Sequence, residues 1–369
     1  MERVRQEIGE EEFLRQIAKE LQERRYRPAP VKRVYLPKPG GEKRPLGIPT
    51  VKDRVVQTAC LLVLLPIFEA DFHDCSYAYR PKRSAHDAVR AVVTHLKAGF
   101  TAVYDVDLSK CFDELPHETI MEAVAARVAD GRILRLIKVW LTAPVVEPGG
   151  PRQGKRSRKG TPQGGVISPL LANVVLNHLD QGWNAPGGPR ERYNARLVRY
   201  ADDIVVLARY IGRPLIEAMT RLTAEVGLRV NPEKTHILDL RAGDRLEFLG
   251  YEIYFGRDRH RPLVLKPGRK AIVRLKHRVR EIVARKQLHR RWDGMIAELN
   301  PVLRGWREYF SLSNVSRVFW KLDFFITARF YRVGRKASQR RAKTFTPGVF
   351  VTLQKMGLYS LVLARPAKA

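Results

Sequence analysis

The sequence has few cysteines, no long uninterrupted apolar run and comparatively few acidic residues. None of the three cysteines, Cys60, Cys75 and Cys111, lies at the two-residue spacing of a zinc knuckle or a redox pair. The longest apolar run, Ala59 to Phe68, is interrupted by proline and too short to span a bilayer, so it predicts a buried helix. The first residues lack the apolar core of a signal peptide. These absences argue against a zinc-knuckle protein and a membrane protein, and they favour a soluble protein in a reducing, cytoplasmic setting.

The shortage of acidic residues makes the chain strongly basic. Lys and Arg number 68 against 38 Asp and Glu, which gives a formal charge of +30 and a pI near 10.4. A compact chain of this charge repels itself unless a polyanion is near, so nucleic acid is the predicted partner. With 369 residues, 44% of them apolar, the chain is long enough for two or three packed units.

The first hundred residues predict helices around a hairpin. Apolar residues recur at four-residue steps from Phe13 to Glu23 and predict a short amphipathic helix. Residues 31–36 and 44–48 flank a Pro-Gly turn and predict a hairpin. Two capping-box patterns then predict the starts of two helices. Thr50 with Asp53 begins a helix that ends near Glu69, and Ser84 with Asp87 begins one that ends near Gly99.

The middle of the chain predicts a strand, a helical stretch and a second hairpin. Thr101 to Val106 is the predicted strand, and Thr119 to Leu141 is helical with an interruption at Gly131. Pro148 to Gly165 is rich in Gly, Arg and Lys, so it is either a loop near phosphates or a solvated linker. Apolar runs on both sides of Ala201-Asp202-Asp203 predict a hairpin with two carboxylates at its tip.

The last third predicts a basic helical domain that begins near residue 260. Between Arg257 and Lys343, 25 Lys or Arg stand against 6 Asp or Glu. A helical apolar stripe runs beneath this charge through Ile272, Leu275, Val279 and Ile282. The cations are therefore expected to face outward toward a nucleic-acid backbone, and the candidates are Lys276, Arg280 and Arg285. Asn300-Pro301 has the pattern of a cap and a first-turn proline and predicts the start of another helix.

Clustered carboxylates on two predicted strands indicate metal-dependent chemistry. An Asp-Asp pair in a turn is weak evidence alone, because Asp favours turns for local reasons. A second acidic strand, containing Asp105 and Asp107 on one face, strengthens it. In a metal site that joins nucleotides, an aromatic side chain beneath the incoming sugar could exclude a 2′-hydroxyl. Phe112 lies five residues after Asp107 and could do this, whereas the residue five after Asp105 is Lys110, which could not. We therefore favour Asp107.

Ordered blocks of sequence resemble the reverse transcriptases encoded within group II introns. Three blocks carry the catalytic part of the resemblance, and these are Asp107 to Asp113, Gly160 to Leu170 and Tyr200 to Asp203. Flanking segments resemble the fingers, the last palm blocks and the maturase thumb signature, and these are 36–50, 79–87, 227–234, 247–251 and 303–310. The resemblance runs in order from about residue 21 to about 335.

The resemblance implies a role for each of several residues. It makes Asp107, Asp202 and Asp203 the ligands of two Mg²⁺ ions. It further implies that Lys38 and Arg44 contact the triphosphate and that Gln163 lies beside the incoming sugar. Lys234 would lie near the active-site phosphates. The primer end would be held by Phe248, Leu249 and Gly250. Taken singly, Lys38, Arg44 and Lys234 would be solvated surface cations, and only their position within ordered blocks favours the functional interpretation.

The implied fold is an α+β right-hand polymerase, with fingers and palm built on an antiparallel sheet and helices, and an α-helical thumb. The expected divisions are fingers 1–98, catalytic palm 99–256, basic thumb 257–343 and a short C-terminal segment 344–369. The implied function is RNA-directed DNA synthesis from an RNA template, a DNA or RNA primer and dNTPs, with structured intron RNA as a splicing and retrohoming partner.

Two alternatives stay open at this point. One is an RNA-binding maturase that kept the scaffold without catalysis, against which the intact Asp107, Asp202 and Asp203 argue. The other is a domesticated enzyme of phage defence or CRISPR adaptation. The chain has little sequence ahead of Phe13 and no paired His or Cys after Lys343. Acceptor-template engagement and self-sufficient second-strand cleavage are therefore not expected.

Overall fold

The computed structural model describes residues 6, 8–37, 43–150, 159–161, 164–257, 260, 262–284, 292–337 and 347–362. The chain divides into two compact units, Met1–Ile237 and Leu238–Ala369. The predicted division into fingers, palm and thumb at residues 98, 256 and 343 is a functional one and stays a prediction. None of the described helices combines the length and apolar character needed to cross a membrane.

The first unit opens with a helix and a hairpin, as predicted. Helix α1 (Glu10–Gln22) buries Ile17. Strands β1 (Val31–Pro37) and β2 (Lys43–Ile48) are antiparallel, and the two-residue strand β4 (Val145–Val146) pairs in parallel with the other edge of β1.

Helices α2 (Val51–Glu69) and α3 (Ala85–Lys97) confirm both capping predictions. The Thr50 hydroxyl oxygen accepts from the Asp53 N–H at 3.2 Å, and Ser84 with Asp87 forms the full reciprocal box. The apolar run in α2 is buried on one face only, because Leu64 is buried whereas Leu62 and Val63 are exposed. The predicted helix is therefore confirmed, but its burial is limited to one face.

The helical stretch predicted from Thr119 to Leu141 is broken before Gly131, as predicted, and the second helix begins at a capping residue. Helix α4 (Cys111–Glu114) is followed by α5 (His117–Ala125) and α6 (Gly131–Leu141). Asp130 ends the break, since its carboxylate accepts from the N–H groups of Arg132 and Ile133 at the start of α6.

The core of the first unit lies around one helix and one sheet. Helix α7 (Ser168–Asn184) is buried along most of its length and packs against α2, α5 and the later helix α9 (Arg213–Glu225). The short helix α8 (Pro189–Arg192) follows α7. The sheet has the order β5-β6-β3-β7. Its strands are β3 (Ala102–Asp107), β5 (Arg196–Tyr200), β6 (Asp203–Ala208) and β7 (His236–Asp239).

The three cysteines all lie in the first unit, and each is buried with a free thiol. Burial raises the pKa of the Cys60 thiol to about 11. Burial, and after it the charge of Asp202, raises the pKa of the Cys111 thiol to about 12. Buried thiols with raised pKa values stay neutral and react slowly.

The second unit places helices on a small antiparallel sheet of order β10-β9-β8. The strands are β8 (Leu246–Phe248), β9 (Tyr251–Phe255) and β10 (Leu263–Pro267), and the helices are α10 (Arg269–Ile282), α11 (Trp292–Tyr309), α12 (Ser316–Ala337) and α13 (Pro347–Lys355). In α10 the predicted stripe is confirmed at Leu275, Val279 and Ile282, which are buried.

The prediction of a new helix at Asn300-Pro301 is wrong. Pro301 lies inside the continuous helix α11. Asn300 does not cap that helix, because its side chain is engaged elsewhere. Its amide donates to the Gly357 carbonyl at 2.8 Å, and its carbonyl oxygen accepts from the Tyr359 N–H at 2.9 Å. Asn300 therefore does not begin a helix but binds the C-terminal segment at Gly357 and Tyr359.

The same C-terminal segment is attached to α12 by a buried carboxylate. Asp323 accepts from the Ser360 hydroxyl at 2.7 Å and from the N–H groups of Leu361 and Val362 at 3.0 and 3.2 Å. Burial raises the pKa of this carboxyl above its usual value, although the three donors oppose the shift. The segment after residue 355 is thus part of the second unit's packing.

Candidate active site

The sheet register brings two of the predicted carboxylates together. Asp107 at the end of β3 is the cross-strand partner of Asp203 at the start of β6, and Asp203 is also paired with Tyr200 of β5. Paired positions in an antiparallel sheet have Cα atoms roughly 4.5–5.5 Å apart. Asp105, the alternative considered from sequence, is instead opposite Val205.

The tight turn between β5 and β6 carries Asp202. Ala201 adopts a left-handed conformation with φ of 58°, which reverses the chain between the two strands. Burial, and after it the charge of Asp202, raises the pKa of the Cys111 thiol at the start of α4. The turn therefore delivers Asp202 to the same edge of the sheet as Asp107 and Asp203.

A fully buried ion pair supports this turn from beneath. Arg199 and Asp180 have side chains with 0% exposure, and Arg199 Nε donates to Asp180 Oδ1 at 2.8 Å. The same guanidinium donates from Nη1 to the Ala201 carbonyl at 3.1 Å and to Asn173 Oδ1 at 2.9 Å. Burial would lower the pKa of Arg199, but the Asp180 carboxylate outweighs it and the pKa is raised. A permanent charge thus fixes the backbone one residue before Asp202.

Sequence reasoning missed Arg199 and Asp180. A signal was present, since Arg199 interrupts the apolar strand that begins at Leu197, and Asp180 interrupts the apolar helix α7. A charge at a position that the pattern requires to be buried calls for a buried partner. The sequence alone does not say which partner, because the two residues belong to different elements.

The segment containing Lys234 runs alongside Asp107. The Asn231 N–H donates to the Asp107 carbonyl at 2.8 Å, and the Asp107 N–H donates to Thr235 Oγ1 at 3.2 Å. Lys234 lies between these two contacts and is exposed. Its backbone is therefore close to the carboxylate edge, while its contact with phosphates stays a prediction.

The second resemblance block meets the first at α4. The Thr161 N–H donates to the Phe112 carbonyl and the Gly160 N–H to the Leu115 carbonyl, both at 2.8 Å. Gly160 has φ of 85°, and an added Cβ would lie 2.7 Å from the Asp113 carbonyl oxygen, so a side chain does not fit there. The Phe112 ring is only 7% exposed and belongs to the core. Its role as a sugar gate stays a prediction.

The loop after Thr161 returns to the fingers hairpin. Gly164, with φ of 118°, packs its backbone so closely on Gly47 of β2 that an added Cβ would lie 2.5 Å from the Gly47 carbonyl oxygen. Lys38 and Gln163 lie outside the described residues. Arg44 is opposite Leu36 in the hairpin, but its side chain also lies outside them. Their substrate contacts are therefore untested.

Whether a divalent ion fits this edge can be judged from the carboxylates. In the parts of the chain that the structure describes, no group of three or more His, Cys, Asp or Glu side chains is gathered closely enough to hold a metal ion. The backbone nevertheless sets Asp107 opposite Asp203, with Asp202 next in the turn. The donor set is all oxygen, which suits a hard divalent cation.

The predicted primer-holding residues lie in the second unit, in the turn between β8 and β9. Leu249 and Gly250 both have positive φ. The Tyr309 hydroxyl of α11 donates to the Leu249 carbonyl at 2.9 Å, and the Gly268 N–H donates to the Gly250 carbonyl at 2.8 Å. The Tyr251 hydroxyl in turn donates to the Tyr309 carbonyl. The turn is thereby held by the last residues of the maturase-like segment.

The predicted duplex-binding cations are not simply solvated. Lys276 Nζ and Arg280 Cζ lie 5.2 and 5.3 Å from the centroid of the Phe325 ring of α12. They therefore cover an aromatic side chain as well as carrying charge, and their contact with a nucleic-acid backbone stays a prediction. Arg285 lies outside the described residues.

Acidic residues on a hairpin tip and on the adjoining strand of an antiparallel sheet define the palm of a polymerase. Residues 36–253 match the family described as reverse transcriptase (RNA-dependent DNA polymerase), and residues 272–346 match the group II intron maturase-specific domain. The first match alone covers more than half of the chain. This chain belongs to the reverse transcriptase family, and its two domains are those of the group II intron type.

Individual proteins with similar sequences support the same family assignment. Protein YkfC of Escherichia coli K12 is 36% identical in an alignment of length 270 that covers 64% of this chain and 69% of YkfC. The group II intron-encoded protein LtrA of Lactococcus lactis is 37% identical in an alignment of length 172 that covers 46% of this chain and 28% of LtrA. A putative COX1/OXI3 intron 1 protein of Saccharomyces cerevisiae is 26% identical in an alignment of length 321 that covers 73% of this chain and 38% of that protein. The resemblance stated from sequence is therefore confirmed.

Proposed function

We propose that this chain synthesises DNA on an RNA template, adding dNTPs to a primer with two Mg²⁺ ions held by Asp107, Asp202 and Asp203. The observation that carries the proposal is the register that pairs Asp107 with Asp203 beside the Asp202 turn. Two such ions stabilise the attacking and the leaving oxygen of nucleotidyl transfer. The protein's part is to hold three carboxylates at one edge, and the buried Arg199–Asp180 pair keeps the turn in place.

The remaining roles follow the resemblance. Lys38 and Arg44 would offset charge on the triphosphate, and Gln163 and Phe112 would lie beside the sugar. Phe248 to Gly250 would hold the primer end. The maturase-specific domain and the formal charge of +30 support structured intron RNA as a further partner. Three free, buried cysteines support the predicted cytoplasmic location.

The test compares two isosteric substitutions on paired strands. Asp203→Asn removes one charge from the carboxylate edge, so primer extension on an RNA template should be largely lost, because the edge would no longer hold both ions. Binding of divalent ions, measured by calorimetry, should weaken as well. Asp105→Asn is the matched control, since Asp105 is opposite Val205. It should keep most of the extension rate.

Binding of structured RNA, measured separately, should survive in both variants. Wild-type extension by Asp203→Asn would contradict the proposal. A wild-type chain that binds RNA tightly but extends no primer would instead identify a non-catalytic maturase.

A further inference from the structure

Helix α12 has two apolar faces, and one of them is solvent-exposed. Its inner face buries Phe319, Leu322, Ile326 and Phe330. On the opposite side, Trp320 and Phe324 are 60% and 51% exposed. A surface helix ordinarily carries its large apolar residues on one stripe and polar residues opposite. Two large aromatic residues on the outer side therefore need a reason.

The two exposed rings form an ordered pair. Trp320 and Phe324 are one helical turn apart and are stacked, with centroids 5.9 Å apart and planes inclined by 15°. They border a cavity of about 270 Å³ that Phe350 and Val362 also line. This is below the roughly 300–1,000 Å³ of a small-molecule site, so it suits one flat group of a larger ligand.

The charges around the rings are positive. Arg317 and Lys321 are exposed and alternate with the rings at helical spacing on the same face. Within the described part of the chain, neither forms an ion pair with a carboxylate. The one acidic residue of α12, Asp323, is buried beneath and occupied by Ser360, Leu361 and Val362. A ligand with both flat apolar groups and negative charge matches this surface.

From these observations we propose that Trp320 and Phe324 form a stacking platform for unpaired bases of RNA, with Arg317 and Lys321 on the adjoining phosphates. Interleaved aromatic and basic residues are the general means of holding single strands. The hydroxyls at the floor of the cavity are used internally, since Thr327 donates to the Asp323 carbonyl and Ser360 to the Asp323 carboxylate. Stacking should therefore depend little on base identity. The proposal rests on the proposed function for the class of partner.

A protein partner is the competing occupant. Each aromatic side chain has about 150–250 Å² of surface, and both are only partly exposed here. Together they fall well below the roughly 600 Å² per partner of a small specific interface. The exposed cations beside the rings also favour a polyanion.

The test uses the full chain, without dNTPs, and a short unstructured RNA. Trp320→Leu with Phe324→Leu keeps apolar volume and removes the flat faces, so the affinity should fall about 5- to 150-fold for each stacked base. Tyr210→Leu, at an aromatic residue that is 78% exposed in the first unit, is the matched control and should leave the affinity unchanged. A blunt, fully paired RNA duplex should lose little affinity in either variant.

Two further measurements keep the proposal testable if the double variant does not fold. In the wild-type chain, the exposed Trp320 should have its fluorescence quenched by unstructured RNA. Arg317→Gln with Lys321→Gln should make the salt dependence shallower by about 0.7 for each phosphate that is no longer neutralised. Equal affinity of the double variant and the wild type would overturn the platform. Loss of self-association in sedimentation, with RNA binding unchanged, would make the face a protein interface. Primer extension retained by the double variant would show that the proposed function stands apart from this result.

Discussion

At the residue scale, Arg199 is a buried charge two residues before Ala201 in the β5–β6 turn, and its effect on rate should be separable from its effect on stability. Arg199→Lys keeps the charge but loses the fork that joins Asp180 to the Ala201 carbonyl. We expect single-turnover extension to slow by about tenfold or more, since small displacements of reacting groups cost up to about 10² in rate.

Arg80→Lys is the control for that prediction. Arg80 is also buried and paired, with Nη2 2.8 Å from Glu69 Oε1, but its hydrogen bonds go to residues 69–76 and not to the turn. The substitution should lower the thermal midpoint without a comparable loss of rate. If both variants slowed equally at matched stability, Arg199 would be no more than a packing residue.

Phe112 gives the second prediction at this scale. Phe112→Val removes the ring from beside the predicted sugar position, while a β-branched residue partly fills the core that Phe112 occupies. The ratio of deoxynucleotide to ribonucleotide incorporation should fall toward one, with primer extension retained. An unchanged ratio, measured in parallel for the wild type, would show that another residue selects the sugar.

Individual residues also show what sequence could supply. The period of two in a strand and the apolar flanks of Asp202-Asp203 were enough to place the acidic residues on a strand and at a hairpin tip, whereas the pairing of Asp107 with Asp203 is given by the structure. No local pattern joins Arg199 to Asp180, 19 positions apart in different elements. The capping boxes at Thr50 and Ser84 were predictable because both partners lie within three residues. The same reasoning failed at Asn300, whose partners are 57 and 59 residues away.

At the element scale, helix α10 should contribute both packing and charge. Neutralising Lys276 and Arg280 with Gln should weaken binding of a template–primer duplex and reduce its log–log salt slope by about 0.9 for each phosphate that is no longer neutralised. Each cation also lies over Phe325, so the change should cost about 0.5–1 kcal/mol of stability per residue. Fluorescence anisotropy across a salt series and thermal unfolding measure the two effects.

Arg278 of the same helix is the control for this prediction. It is ion-paired with Glu281 and Glu298 at 3.2 and 3.4 Å. Arg278→Gln should therefore change the slope less. Equal changes in slope for the two positions would mean that α10 acts through net charge alone.

Asp323 of α12 holds residues 360–362 of the C-terminal segment through three hydrogen bonds. Asp323→Ala removes the acceptor of the Ser360 hydroxyl and of two backbone N–H groups. Hydrogen exchange of the Leu361 and Val362 amides should accelerate, because neither keeps its partner. Exchange in α7 of the first unit serves as the internal reference. Unchanged exchange at both amides would show that Arg307, which donates to the Leu361 carbonyl, suffices to hold the segment.

At the scale of the whole molecule, the charge of +30 should make stability depend on polyanions. Structured RNA at 100 times its dissociation constant should stabilise the folded chain by about 2.7 kcal/mol and raise the thermal midpoint accordingly. The gain should shrink as salt rises, because the binding that produces it is electrostatic. A midpoint that does not respond to RNA at low salt would contradict nucleic acid as the partner of the folded state.

The buried thiols allow local opening of the first unit to be measured. All three cysteines lie in the first unit, and the second unit has none. Alkylating reagents attack the accessible thiolate, so these sites should react only when the surrounding structure opens. The alkylation rate of the native chain therefore measures how often the first unit, which carries the carboxylates, opens locally. One cysteine introduced on the surface of the second unit would react at once and could carry a fluorescent label without removing any natural residue of the first.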